Sequence, residues 1–169
     1  MDRELLRERQ RPLKDAYRSD AAAAMVTLHA DGSLSDSEVT CSVKTGRALV
    51  EAGLHPATGG DGTAACSGDM LLQALVACAG VTLRSVATSR EIAVSGTVRA
   101  EGDLDFRGTL GIDRDAPVGF AAIRLVFELM SDASAEDLDA LIATTEKYCV
   151  VYQTLVNRPE LSVERTVTG

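Results

Sequence analysis

The sequence predicts an α+β protein built on antiparallel sheet, and three observations carry that prediction. An apolar helical stretch, Asp69–Ser89 (DMLLQALVACAGVTLRSVATS), lies in mid-chain. Runs of alternating polarity flank it on both sides, the best patterned being Phe120–Met130. A second helical stretch with a capping signature begins at Ser134. The order is strands, a buried helix, strands, a helix pair and a strand, which points to an α+β domain with antiparallel sheet. A chain of 169 residues is one domain by default and can bury a substantial core.

Taken in order, Arg3–Arg18 reads as a charged helix with Leu5, Leu6 and Leu13 as sparse anchors and Pro12 breaking or kinking it. Residues 1–23 are therefore expected to form a peripheral helical arm, packed on a partner subunit, ahead of a single domain over 24–169. Ala24–Ala30 and Glu38–Lys44 alternate in polarity and read as a β-hairpin turning at Asp31-Gly32. Cys41 falls on the apolar face of the second strand and is read as a small hydrophobe. Arg47–Glu51 adds a third strand. The glycine-rich approach GGDGTAACSGD, with Gly59, Gly60, Gly62 and Gly68, gives a mobile entry to the central helix.

Within that helix Leu71, Leu75, Cys78 and Thr82 share one face. Met70, Leu72, Val76, Ala79, Leu83 and Val86 fill most of the remainder, so burial on several sides is expected. Ile92–Glu101 and Phe106–Ile112 read as strands. In Phe120–Met130, Ile123, Leu125, Phe127 and Leu129 lie on one face, with Arg124 and Glu128 on the other. Ser134 with Asp137 three residues on makes a capping box for a helix with its stripe at Leu138, Leu141, Ile142 and Thr145. Val150–Asn157 continues or restarts that helix, Pro159 stops it, and Leu161–Val167 closes the chain as a strand.

The net charge of −8 and pI near 4.7 argue against a nucleic-acid partner, which needs clustered Lys and Arg. The longest unbroken apolar run, Ala74–Val81, falls far short of the roughly 20 residues that cross a bilayer. The charged N-terminus has no signal-peptide core, so a cytoplasmic protein is expected. Four cysteines, at 41, 66, 78 and 149, form no CxxC pair, and the two histidines, His29 and His55, lie near none of them in sequence. That is a poor zinc pattern, and no metal or bound cofactor is expected. In a reducing cytosol the four are free thiols unless chemistry makes a transient disulfide.

The segments GDMLLQALVACAGVTLRSVA and EKYCVVYQTL, with cysteines 71 residues apart, resemble the two-cysteine framework of the OsmC/Ohr superfamily of osmotically inducible and organic hydroperoxide resistance proteins. The resemblance covers the chain from about Ala24 to the end. It implies an intertwined homodimer in which six-stranded antiparallel sheets from both subunits wrap the central helices. It also implies thiol-dependent reduction of organic hydroperoxides, with Cys78 oxidised to a sulfenic acid, Cys149 resolving it as a disulfide, and an external dithiol as reductant.

Such chemistry needs a thiolate, and an apolar pocket around Cys78 raises a thiol's pKa unless a positive group offsets the desolvation. Peroxidase members of the resembled family place an arginine after the first strand, held by a carboxylate before the central helix. This chain has His29-Ala30-Asp31-Gly32-Ser33 at that place. Asp69 takes the carboxylate position, nine residues before Cys78, although nine residues turn a helix by 900° and helix capping is the competing role. Arg18, Arg47 and Arg84 are the substitutes for the missing arginine, with Arg84 on the far side of the helix from Cys78. Val150 stands where a proline commonly follows the second cysteine, which allows an unbroken helix through Cys149 and weakens any helix-terminus effect there. Cys66, in the glycine-rich approach, is either a spectator or an alternative resolving thiol.

Taken alone, a cysteine in an apolar helix is inert packing. Two functions are therefore carried forward. One is a peroxidase acting on organic, fatty hydroperoxides. The other is a non-catalytic module of the same fold that binds an apolar small molecule at the dimer interface, its cysteines retained in the core.

Overall fold

The computed structural model describes residues 2–19, 32–34, 40–45 and 48–167. Helix α1 (Arg3–Ser19) opens on Asp2, whose Oδ1 accepts the Leu5 amide at 2.9 Å and satisfies an N–H that the first turn leaves free. The helix runs through Pro12, where the sequence predicts a break or kink. One missing N–H costs a single bond to the Glu8 carbonyl, and the Gln, Arg, Leu and Lys around it are good helix formers. The arm docks on its own chain, with Arg3 Nη1 2.5 Å from Glu91 Oε2.

Strands β1 (Gly32–Leu34), β2 (Thr40–Thr45), β3 (Ala48–Gly53) and β4 (Ala65–Cys66) form a four-stranded sheet in that order. Gly32 pairs with Val43 and Leu34 with Cys41. Gly32 is thus a strand residue rather than part of the turn expected at Asp31-Gly32. The strand expected over Ala24–Ala30 lies outside the described residues, as does Arg47. β4 runs parallel to β3, pairing Ala65 with Ala52 and Cys66 with Gly53. Two residues carry no periodicity to read, so this pair is invisible in the sequence.

Cys66 also precedes α2 (Ser67–Arg90) in extended conformation, with φ −76° and ψ 132°. The thiol expected in a mobile approach is instead held between a strand and a helix. In α2 the buried residues are Leu75, Ala79, Leu83 and Ala87, one stripe at four-residue spacing. Ala74, Ala77 and Val81 lie exposed, the last at 72%. The helix expected to be covered on several sides is covered on one face within a single chain. At 24 residues and a mean hydropathy of 1.6 over its best window, α2 is long and apolar enough to cross a membrane. Its buried face packs instead on the chain's own strands and helices.

Strands β5 (Ser95–Leu104) and β6 (Phe120–Met130) pair antiparallel as a separate two-stranded sheet. Inward, Val98, Ala100, Ile123, Leu125 and Phe127 pack on α2. Outward, Arg99, Glu101, Asp103, Arg124 and Glu128 form an exposed ion ladder. Between these strands, Phe106–Ile112 is not the predicted strand. It forms the short helix α3 (Phe106–Thr109) and a turn. Asp105 caps it by accepting the Arg107 amide at 3.0 Å, and the Phe106 ring stacks on His55 with centroids 4.9 Å apart. Gly108 presses so close to the Pro117 carbonyl oxygen that a Cβ would lie 2.5 Å from it. These contacts override the apolar alternation.

Helix α4 (Ala135–Tyr148) begins as its capping box predicts: Ser134 Oγ accepts the Asp137 amide at 3.1 Å. Leu141 joins Leu83, Ala87 and Val94 in one buried cluster. Helix α5 (Val150–Val156) restarts after Cys149. The closing strand expected at Leu161–Val167 is absent among the described residues, where this stretch is unpaired and Val163 is 97% exposed. The strand pattern is present but no neighbouring strand of the same chain meets it. Among the described residues, one chain contributes a four-stranded sheet with one parallel pair and a separate two-stranded sheet.

Candidate active site

The break at Cys149 makes the site. Tyr148-Cys149-Val150-Val151 puts two β-branched residues after the cysteine, which weakens the helix locally. Cys149 takes φ −73° and ψ 109°, ending α4 and opening α5 at one residue. Its own amide still donates to the Thr145 carbonyl at 2.8 Å, and its Sγ accepts the Tyr152 amide at 3.5 Å. The Gln153 side chain donates to the Glu146 carbonyl at 2.9 Å, satisfying a group that the end of α4 would leave free. The expectation of an unbroken helix through Cys149 is thereby corrected. The thiol itself takes the capping place that a proline does not fill.

The break turns α5 onto α2. Cys78, half-buried in the middle of α2, packs in one cluster with Leu75, Ala79 and the fully buried Cys149, together with Val151 and Tyr152. Burial opposes ionisation of Cys78, but the amide of Val151, the thiol of Cys149 and the amide of Val150 outweigh it, and hold Cys78 below its ordinary thiol value. For Cys149 the balance is reversed. Burial pushes it up, the hydrogen bond to Cys78 and the charge there add to the rise, and the Tyr152 amide offsets only part. Cys78 is therefore the more readily ionised thiol of the pair and Cys149 the less. Both are free thiols in this structure.

An apolar groove of about 550 Å³ between α2, β6 and α5 is walled by Leu71, Leu75, Phe120, Ile123, Leu125 and Leu155 among others; neither cysteine lines it, and it adjoins their cluster through Leu75, Ile123, Leu125 and Tyr152. Asp69 is elsewhere. It sits inside the first turn of α2, where Cys66 and not Asp69 is the residue before the helix, and nine residues of α-helix separate it from Cys78 by about 13 Å of rise. Asp69 and Cys66 instead line a separate cavity of about 360 Å³ with His55 and Phe106. Arg84 donates to the Val94 carbonyl at 2.7 Å and does not line the groove. The side chains of Arg18 and Arg47 lie outside the described residues. No cluster of His, Cys, Asp and Glu among the described residues could hold a metal ion.

A family model described as OsmC-like protein matches residues 60–164, a span that includes α2, both thiols and α5. The chain belongs to the OsmC-like protein family. Solved structures share the family fold at low identity. An OsmC-like protein from Mycoplasma pneumoniae superposes with a TM-score of 0.65 at 18% identity, covering 79% of this chain and 89% of that one. An organic hydroperoxide resistance protein OsmC from Legionella pneumophila gives 0.58 at 16% identity, over 79% and 91% of the two chains. The organic hydroperoxide resistance protein OhrB of Bacillus subtilis gives 0.53 at 16%, over 78% and 93%. No curated protein matches the chain by sequence.

In this OsmC-like chain, sequence reasoning sought a side-chain cation to activate Cys78 and missed what is there, the peptide N–H groups of Val150 and Val151. Thr82 stands one helical turn beyond Cys78, and its single O–H donates to the Cys78 carbonyl at 2.8 Å. The pair of valines after Cys149 marked the break.

A pH profile tests this electrostatic arrangement. Cys78 has a depressed folded-state pKa, so its thiolate persists as pH falls and is lost only when pH drops through that depressed value. Alkylation of Cys78 by iodoacetamide is expected to stay near its plateau rate below about pH 8.5, the ordinary thiol pKa. Cys149 reacts only above that range. An inflection for Cys78 at or above the ordinary value refutes the assignment.

Proposed function

We propose that the protein is a thiol-dependent peroxidase that reduces organic hydroperoxides. The observation that carries this reading is the packing of Cys78 with Cys149, the first more readily ionised than the second, in one cluster that shares Leu75 and Tyr152 with an apolar groove. The Cys78 thiolate attacks the terminal oxygen of the hydroperoxide, forming an S–O bond as the O–O bond breaks. The alkoxide leaves and is protonated to an alcohol, and Cys78 becomes a sulfenic acid. The Cys149 sulfur then attacks the Cys78 sulfur. Its proton and the displaced hydroxide leave as water, and a disulfide remains. An external dithiol reduces that disulfide to two thiols and becomes a disulfide itself. The groove's aliphatic and aromatic walls suit a fatty or other apolar hydroperoxide.

Asp69 is kept in a supporting place at the start of α2, acting through the helix rather than by contact with Cys78. The family fold is shared with proteins named for organic hydroperoxide resistance, which supports the chemical class. The test is dithiol-dependent loss of cumene hydroperoxide catalysed by the purified protein. Absence of turnover would sink the reading and favour a non-catalytic module that holds an apolar molecule in the groove.

The working form in this reading is a cytoplasmic homodimer, since a reducing cytosol supplies the dithiol. The exposed stripe of Ala74, Ala77 and Val81 on α2, and the unpaired strand pattern of Leu161, Val163 and Val167, leave more apolar surface than one chain covers. Folding is then expected to depend on protein concentration. Sedimentation that finds a stable, folded monomer at micromolar concentration refutes the dimer.

A further inference from the structure

We infer that the hydroxyl of Tyr152 is the hydrogen-bond donor to the peroxide, and the group that protonates the departing alkoxide, an inference that rests on the peroxidase reading above. Of the side chains that line the groove, Tyr152 alone carries an O–H or N–H; every other is aliphatic, aromatic hydrocarbon or absent. Its ring packs on the cluster that holds Cys78 and Cys149, so the phenol stands on the wall that joins the groove to the thiol pair. Its hydroxyl has no hydrogen-bond partner among the described residues. A single unpaired phenol in an apolar groove has the form of a group reserved for a ligand.

The chemistry requires such a donor. Attack of the Cys78 thiolate on the terminal oxygen expels an alkoxide, a strong base that needs a proton as the O–O bond breaks. The terminal O–H proton stays with the new sulfenic acid, so the alkoxide must take its proton from another group. Tyr152 O–H supplies it and solvent restores it. Three of the guanidinium groups are committed elsewhere: Arg84 to the Val94 carbonyl, Arg107 to Asp105 and Asp113, and Arg124 to Glu101 and Asp103 on the outer sheet face. None of them lines the groove.

The experiment compares wild type with Tyr152→Phe, which keeps the ring and removes only the donor. Single-turnover oxidation of Cys78 is followed with tert-butyl hydroperoxide, whose alkoxide is a poor leaving group, and with peracetic acid, whose acetate leaves without help. Iodoacetamide alkylation of Cys78 reports on the nucleophile and the fold. The expected result is a loss of roughly 100-fold with the hydroperoxide. With the peracid the loss is about threefold or less, and alkylation is unchanged, since neither needs the proton. Equal losses with both oxidants, a fall in alkylation, or no loss with the hydroperoxide would each overturn the assignment. A wild-type Cys78 that no hydroperoxide oxidises would sink the peroxidase reading itself, and Tyr152 with it, an outcome visible before the variant is made.

Discussion

Cys78→Ser is expected to abolish hydroperoxide turnover while leaving the fold nearly unchanged. The side chain is half-buried among Leu75, Ala79 and Cys149, and a hydroxyl occupies slightly less volume there than a thiol. The Val151 amide retains an acceptor, so no buried donor is left unpaired. What serine cannot supply is the ionised nucleophile. The amides of Val150 and Val151 lower the pKa of a thiol, but an alcohol remains protonated and its oxygen does not form the S–O bond. Turnover should fall by roughly 10⁴-fold or more, with thermal unfolding and sedimentation close to wild type. Retained activity in the serine variant would move the nucleophile elsewhere, and Cys66, in its separate cavity with His55, would be the first residue to replace.

The elements that carried their own periodicity were legible from the residues alone. Phe120–Met130 is a strand over the expected span, with Ile123, Leu125 and Phe127 on α2 and Arg124 and Glu128 outward. Ser134 and Asp137 set the start of α4. Where the sequence misled, a tertiary contact decided. Phe106–Ile112 alternates like a strand but is bent by the Asp105 cap, the stack on His55 and the tight approach of Gly108 to Pro117. Leu161–Val167 keeps its alternation without a strand beside it in the same chain. For the site, the two cysteines were legible because their segments resemble a known framework. The means of activation was not. A search for charged side chains overlooks peptide N–H groups, whose direction is fixed by a break in the backbone at Cys149 and has no residue type of its own.

The two thiols also divide their labour in a way that spacing could not reveal. A pair with equal pKa values would leave either sulfur free to attack the hydroperoxide. Here Cys78 lies in reach of the Val150 and Val151 amides, and for the fully buried Cys149 the Tyr152 and Val151 amides do not offset burial and the adjacent Cys78. Each ionisation makes the other harder. The proton that stays on Cys149 is the one needed to carry hydroxide away as water when the disulfide closes.

That division gives the second large effect, at Cys149→Ser. The first hydroperoxide still meets an intact Cys78, so a single turnover is expected at close to the wild-type rate. The sulfenic acid then has no thiol to attack it, because Cys66 sits at the N-cap of α2, twelve residues before Cys78 and about 18 Å of rise away. A second equivalent of hydroperoxide carries Cys78 on to the sulfinic acid, which the dithiol does not reverse. The variant should therefore inactivate after about one turnover per chain, and mass spectrometry should find two added oxygen atoms on the Cys78 peptide. In the wild-type protein, one equivalent of hydroperoxide should instead produce a Cys78–Cys149 disulfide by non-reducing peptide mapping, with Cys41 and Cys66 still reduced. A bridge requires Cα atoms within about 7 Å, which the break before α5 favours by turning Cys149 onto the middle of α2. Sustained turnover by Cys149→Ser at the wild-type rate, or a bridge mapped between Cys66 and Cys78, would remove Cys149 from the resolving role.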